Sequence, residues 1–353
     1  MKAWVFTEPG KHVLTTVDDP KPAPNQVLVR VKACGICGSD VAYHFGKSSL
    51  ETPDGKGPLI LGHEFSGEVT EVGAMAQGLF RAGDRVVLDP VQYCNACSIC
   101  KRGYPNLCEN KAVLGVSADG GFAEYALSAY TSVHKLPESV DYITGALTEP
   151  LACATYGVQN LQVAPGNSVA VFGVGPIGQM MLQLCKRSGA SPVYAIDVKD
   201  YRLAIARSLG ADGVINTGDA ASADYCSDLT AQVKDLTNGM MLDRAIVATG
   251  SVEAMEAALA ITGRRSVIVF FGLPGDDAMV ALPALKSILW DKTIRFSWLA
   301  PNMWPKALDA LGAGLLNTGP LVSETIPLDQ LIAGIERAKD SGAKPMRVVV
   351  TPG

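Results

Sequence analysis

Gly173-Val174-Gly175-Pro176-Ile177-Gly178 leaves this chain few ways to fold. The six residues directly follow the apolar run Val169–Phe172 and open a helix-like stretch that lasts to about Arg187. A second strand pattern, Val193 to Asp197, then ends in an acid about twenty residues further on. Later apolar runs, Asp243 to Val247 and Ser266 to Phe271, continue the alternation of strand and helix. Such alternation predicts a parallel, doubly wound α/β sheet. In that setting the loop reads as a dinucleotide site. Gly173 permits the tight turn, and Gly175 lets the backbone reach the pyrophosphate. Gly178 lets helix and strand pack closely. The pyrophosphate charge sits at the helix N-terminus, beside Val174, Pro176 and Ile177. A turn that serves packing alone is the competing reading. Asp197 is placed to accept hydrogen bonds from the adenosine ribose and to repel a 2′-phosphate, so NAD is expected over NADP. Arg202 is read as stacking on adenine or as a solvated helix charge, and Lys199 as a possible draw for phosphate. Thr249 and Gly272, just beyond the later apolar runs, are counted among the cofactor-binding candidates.

The first ~150 residues have another character. Short strand-like runs such as Val27–Val31 and Gly67–Val72 are broken by Gly and Pro, as at Gly57-Pro58 and Asp89-Pro90. A length of 353 residues suits two domains. Hydrophobic residues make up 48% and charged ones 18%, which argues against disorder, and the net charge of −5 disfavours nucleic-acid or anionic-membrane partners. No apolar run approaches the ~18 residues a membrane span needs. Met1 to Phe6 enters a strand pattern without a signal-peptide core, so a cytoplasmic protein is expected.

Four of the nine cysteines, Cys94, Cys97, Cys100 and Cys108, crowd one loop. In a reducing compartment this spacing favours metal over disulfides. Four thiolates form a closed tetrahedral zinc site, which is structural because it leaves no open position. An iron–sulfur cluster is the rival. A nucleic-acid zinc ribbon is disfavoured by the acidic charge balance.

Two short motifs remain, Gly35-Ile36-Cys37-Gly38-Ser39-Asp40 and Gly62-His63-Glu64-Phe65-Ser66-Gly67. Cys37 on one loop and His63 and Glu64 on another can converge on a second zinc; a lone cysteine is usually packing and a lone histidine usually structural. With Gly73, Gly120-Gly121-Phe122-Ala123-Glu124-Tyr125, Thr148-Glu149-Pro150-Leu151, the cysteine loop and the nucleotide loop, they carry a resemblance. Over essentially its whole length the chain resembles the zinc-containing medium-chain dehydrogenases. Within them it is most similar to the polyol branch, which includes sorbitol, butanediol and threonine dehydrogenases.

The resemblance implies the following. Cys37 and His63 match catalytic zinc ligands. Glu64 matches the adjacent acidic ligand, and Glu149 an acid that ligates the metal or holds its water; which of the two persists as third ligand stays open. Ser39 matches the hydroxyl that relays the substrate proton, and Tyr43 an aromatic lining the polyol pocket. Where several relatives carry a histidine, this chain has Ala42, and His44 is expected at a solvated loop position. Residues 1–150 and 288–353 would form a GroES-like β-barrel catalytic domain, with a zinc lobe at about 90–110. Residues 151–287 would form the Rossmann domain, with the active site in a cleft. Trp290, Trp298 and Trp304 are candidates for the pocket, and Ser48 to Gly55 for its lip. The implied activity is NAD-linked oxidation of a secondary alcohol, a polyol or sugar alcohol, with two Zn2+ per chain in a homotetramer or homodimer. A primary-alcohol or aldehyde enzyme, a threonine or 2,3-diol dehydrogenase, and a non-catalytic cofactor-binding protein are the alternatives.

Overall fold

The structure is a computed structural model. It describes residues 1–47, 58–339, 342 and 344–353. The expected lip, Ser48 to Gly55, lies outside the described residues. The chain divides into two compact units.

The first unit comprises Met1–Ala152, Ala300–Gly314 and Thr318–Gly353. Its centre is the strand Gln26–Gly35, which pairs antiparallel with Glu64–Val72, with Tyr125–Ala129 and with the terminal strand Arg347–Thr351. Arg85–Leu88 and Val133–Lys135 extend this sheet beyond Glu64–Val72, and Val322–Pro327 lies on the far side of the terminal strand. Arg30 points to solvent while Val29 and Val31 are fully buried, as the pleat of a strand requires. Phe6, Phe65, Leu88, Phe122 and Val350 fill the core. Gly67 is a packing glycine, because a Cβ there would strike the Arg30 carbonyl oxygen.

The second unit comprises Cys153–Leu299 and Leu315–Asn317. Its six strands are all parallel, in the order Gly213–Asn216, Val193–Asp197, Val169–Phe172, Leu242–Val247, Thr262–Phe270, Thr293–Phe296. The order reverses on either side of Val169–Phe172, and the crevice at the carboxyl end of that strand is where such sheets bind ligands. The unit runs past the expected boundary at 288. Thr293–Phe296 pairs with Thr262–Phe270, Val267 lying opposite Thr293. As the exposed edge strand, it lacks the apolar run that marks the inner strands, so it carried no boundary signal.

Candidate functional site

In the second unit the glycine loop behaves as its spacing demands. Gly173 has φ +78°, and a Cβ at Gly178 would collide with the Gly173 carbonyl oxygen. A Cβ at Gly175 would meet nothing nearer than Arg202 Nη1 at 3.9 Å, so space is left over this residue. Pro176 starts the helix Pro176–Arg187, where a missing N–H costs nothing. Gly173, Gly175, Asp197, Arg202 and Thr249 line a cavity of about 640 Å3. Asp197 is buried. Its Oδ2 accepts from Val174 N (2.8 Å) and its Oδ1 from Val198 N (2.8 Å) and Lys199 N (3.0 Å). Arg202 Nη1 stands 3.9 Å from the same carboxylate. Gly272 abuts the Thr249 backbone, which a side chain would strike. Thr217, Cys226 and Ser251 also face the cavity, and no sequence signal singled them out.

In the first unit Cys37 caps the helix Gly38–His44. Its N–H donates to Asp40 Oδ2 at 2.8 Å. Gly62, at φ +91°, makes the turn that delivers His63, and Glu64 begins its strand directly after. Cys37, His63 and Glu64 offer ligand atoms within 4.8 Å of one another. Asp40 and Arg347 support them, and neither was given a role in the sequence. Asp40 Oδ1 lies 3.9 Å from His63 Nδ1, so the carboxylate can steady the ring electrostatically. Burial pushes Asp40 up to about 6, against the opposing pull of His63. Burial also disfavours a charged His63, but Cys37, Asp40 and Glu149 outweigh it and raise its pKa. Arg347 Nη2 reaches Glu64 Oε1 at 3.1 Å, and Nη1 donates to the Ile36 carbonyl at 2.7 Å. Glu149 stands in the first turn of the helix Thr148–Leu161.

Buried polar atoms normally find partners. Here Ser39 Oγ, His63 Nδ1 and Glu64 Oε2 are all sealed from solvent without one. Such a cluster beside a thiol fits a site that a metal completes. The soft Cys and His ligands with a carboxylate suit zinc.

The four cysteines of the loop lie within 4.8 Å of one another. Cys94 and Cys108 sulfurs are 3.5 Å apart, and those of Cys97 and Cys108 4.0 Å. A zinc tetrahedron with bonds of ~2.3 Å places its sulfurs about 3.8 Å apart, so the set fits. Backbone N–H groups of Ala96 and Cys97 donate to Cys94 Sγ (3.4 and 3.3 Å), and Cys100 N to Cys97 Sγ (3.4 Å). These donors favour the thiolate, and they lower Cys94 to about 6.

Several other residues stand as follows. His44 is not solvated. It is 8% exposed, and its Nδ1 lies 2.9 Å from His12 Nε2. Burial, then the charge of His44, lowers His12 to about 4. Tyr43 is 2% exposed and packs edge-on against Phe6, in the core of the first unit. Trp304 is buried and stacks on His134 at 5.4 Å. Trp290 instead carries Lys286, Lys292 and Arg264 on its ring. These two tryptophans serve packing, in different units.

Residues 23–138 match the alcohol dehydrogenase GroES-like domain family, and residues 176–313 the zinc-binding dehydrogenase family. The chain is 30% identical to sorbitol dehydrogenase of Bacillus subtilis, over 100% of this chain and 97% of that one. Its fold superposes on 2R,3R-butanediol dehydrogenase of Bacillus subtilis with a TM-score of 0.88 at 28% identity, covering 100% and 99% of the two chains. A dehydrogenase of Sinorhizobium meliloti solved with NADP gives 0.91 at 28% identity, over 99% of each chain.

Proposed function

The chain belongs to the zinc-containing medium-chain alcohol and polyol dehydrogenases, and on that premise we propose that it oxidises a neutral polyol at a secondary carbon, with NAD as acceptor. It is an oxidoreductase of the CH–OH group. The observation that carries the reading is the Cys37–His63–Glu64 set, with His63 and Glu64 buried and their polar atoms unmet among the described residues. Bound there, zinc supplies the Lewis acidity that lowers an alcohol's pKa, and bound NAD takes the hydride.

The protein's own groups do the rest. Cys37 and His63 hold the metal, with Glu64 or Glu149 as the third ligand. Asp40 orients His63. Arg347 keeps Glu64 in place and balances its charge. Ser39 Oγ takes the alcohol proton and passes it outward. The glycine loop and Asp197 seat the cofactor. The first unit is then the catalytic domain and the second the dinucleotide domain. The thiol-rich loop holds a second, structural zinc. Tyr43 supports the substrate side of the helix Gly38–His44 from the core. Among the described residues no helix is long and apolar enough to cross a membrane. Five of the nine cysteines are assigned to zinc, which suits a reducing, cytoplasmic setting. The test is a panel of neutral pentitols and hexitols, 2,3-diols and threonine, read by NADH formation. No NADH from any polyol with zinc-loaded protein refutes the reading.

Asp197 sets the cofactor preference. Its carboxylate accepts from three backbone N–H groups, which fix it in place. A phosphate dianion within ~4 Å would meet repulsion of about 4 kcal/mol per charge pair at an effective dielectric near 20. Arg202 offsets part of this, leaving roughly 1.5–3 kcal/mol of discrimination. Asp197→Ser also loosens the loop at Val174, so both cofactors lose binding to some degree. The ratio of NAD to NADP efficiency is the sound readout, and it falls by about one to two powers of ten. An unchanged ratio would show that Asp197 does not face the ribose.

The second unit also supports self-association into a dimer or tetramer. Among the described residues its edge strand Thr293–Phe296 is unpaired on one side, and Leu285 (72%), Ile288 (75%), Leu289 (71%) and Phe296 (75%) are exposed nearby in the same unit. An open strand edge rimmed by apolar groups suits a second copy of the same edge. A fully active species sedimenting at 37.0 kDa would rule this out.

A further inference from the structure

We propose that Asp89 is a substrate-specificity residue whose carboxylate accepts a hydrogen bond from a polyol hydroxyl other than the one being oxidised. The inference rests on the polyol reading above and names a contact within it.

Strand register places the residue. Ser66 lies opposite Val87 in the antiparallel pair of Glu64–Val72 with Arg85–Leu88. Two residues on in each strand stand Glu64 and Asp89. Side chains two apart share a face, and so do cross-strand partners. Asp89 therefore stands on the face that carries Glu64, a member of the proposed ligand set. Its N–H donates to the Ser132 carbonyl at 2.8 Å, beside the pair Val133–Leu88, so the backbone still follows the sheet there. Glu149 is near enough to act on it electrostatically.

The side chain is only half used. Asp89 is 8% exposed. Its Oδ1 accepts from Val91 N at 2.9 Å, closing the turn through Pro90. No protein group among the described residues donates to Oδ2. That oxygen is not among the side-chain atoms sealed from solvent, so it stays open to a ligand on this face. A purely structural role in the turn needs one oxygen only, and asparagine would fill it equally well. A second, ionisable oxygen directed to the metal-site face has a use if the substrate brings a further hydroxyl. Polyols do, and simple secondary alcohols do not. A site built to receive such a hydroxyl discriminates strongly against analogues that lack it.

Asp89→Asn separates the two roles. It keeps Oδ1 for Val91 and replaces Oδ2 with an NH2 group. Kinetics are measured with xylitol and sorbitol, and with 2-butanol as the hydroxyl-poor control, alongside zinc content and thermal melting. The expected result is a polyol KM raised by about tenfold or more, with kcat and the 2-butanol efficiency changed by less than about threefold. Zinc content and melting stay as in the wild type. An unchanged polyol KM overturns the proposal. So does an equal loss on polyol and 2-butanol, which would place Asp89 in the support of the metal or the fold while leaving the polyol reading intact. Wild-type protein that reduces NAD with 2-butanol and with no polyol refutes the polyol reading itself, and the contact with it.

Discussion

His63→Ala abolishes turnover while NAD still binds. His63 is buried, with the ligand atoms of Cys37 and Glu64 within 4.8 Å of its own. Loss of the imidazole removes a metal ligand and leaves the buried Asp40 carboxylate without its opposing charge. Metal activation of an alcohol is worth several kcal/mol of barrier. Its loss therefore lowers kcat/KM by roughly three powers of ten or more. Cys37→Ser is expected to do the same. The cofactor cavity is lined from Phe172 to Ala257, wholly within the second unit. Fluorescence titration with NAD should thus give nearly the wild-type Kd. Substantial alcohol oxidation by metal-free His63→Ala protein would sink the mechanism, and lost NAD binding would show that the two units do not act independently.

Cys100→Ser removes about one zinc per chain and lowers the melting temperature. The loop Cys94 to Cys108 has little apolar core of its own, with Tyr104 and Leu107 exposed, so its shape depends on the four sulfurs. A structural zinc contributes on the order of 10 kcal/mol where the fold depends on it. This loop is one part of a larger domain, so a smaller share is lost. A loss of ~3 kcal/mol already lowers Tm by about 6–12 °C. Metal analysis and calorimetry on the same sample check both effects. A variant that keeps its full metal content and its melting curve contradicts a zinc at this loop. The catalytic metal should remain, so residual activity at low temperature separates this variant from His63→Ala.

Local spacing made much of this protein readable. The glycine loop, Asp197 and the four cysteines each complete a motif within a short stretch of chain, and the structure gathers each set as spaced. Residues that meet through sheet register were harder to read. Arg347 reaches Glu64 because the terminal strand pairs with Gln26–Gly35, Val349 opposite Gly35 and Val350 opposite Cys34. Its one visible sign was a charge at the head of an apolar strand, Arg347-Val348-Val349-Val350. Asp40 supports His63 across two loops, although its place at the third position of a helix was visible in the motif. His44 was misread because its burial depends on His12, on the strand Lys11–Thr16 far along the chain from its own helix. The edge strand Thr293–Phe296 was missed for a related reason. An exposed edge does not need the apolar run that identifies an inner strand.

The proposed reaction is hydride transfer from a secondary carbon of a polyol to NAD at the Cys37–His63 site. The most direct measurement uses zinc-loaded enzyme, NAD and xylitol deuterated at its carbons, with both products identified by mass spectrometry. The expected products are NADH carrying one deuterium and an equal amount of a ketose. NADH without deuterium, an aldose as the product, or no reduction at all would contradict it.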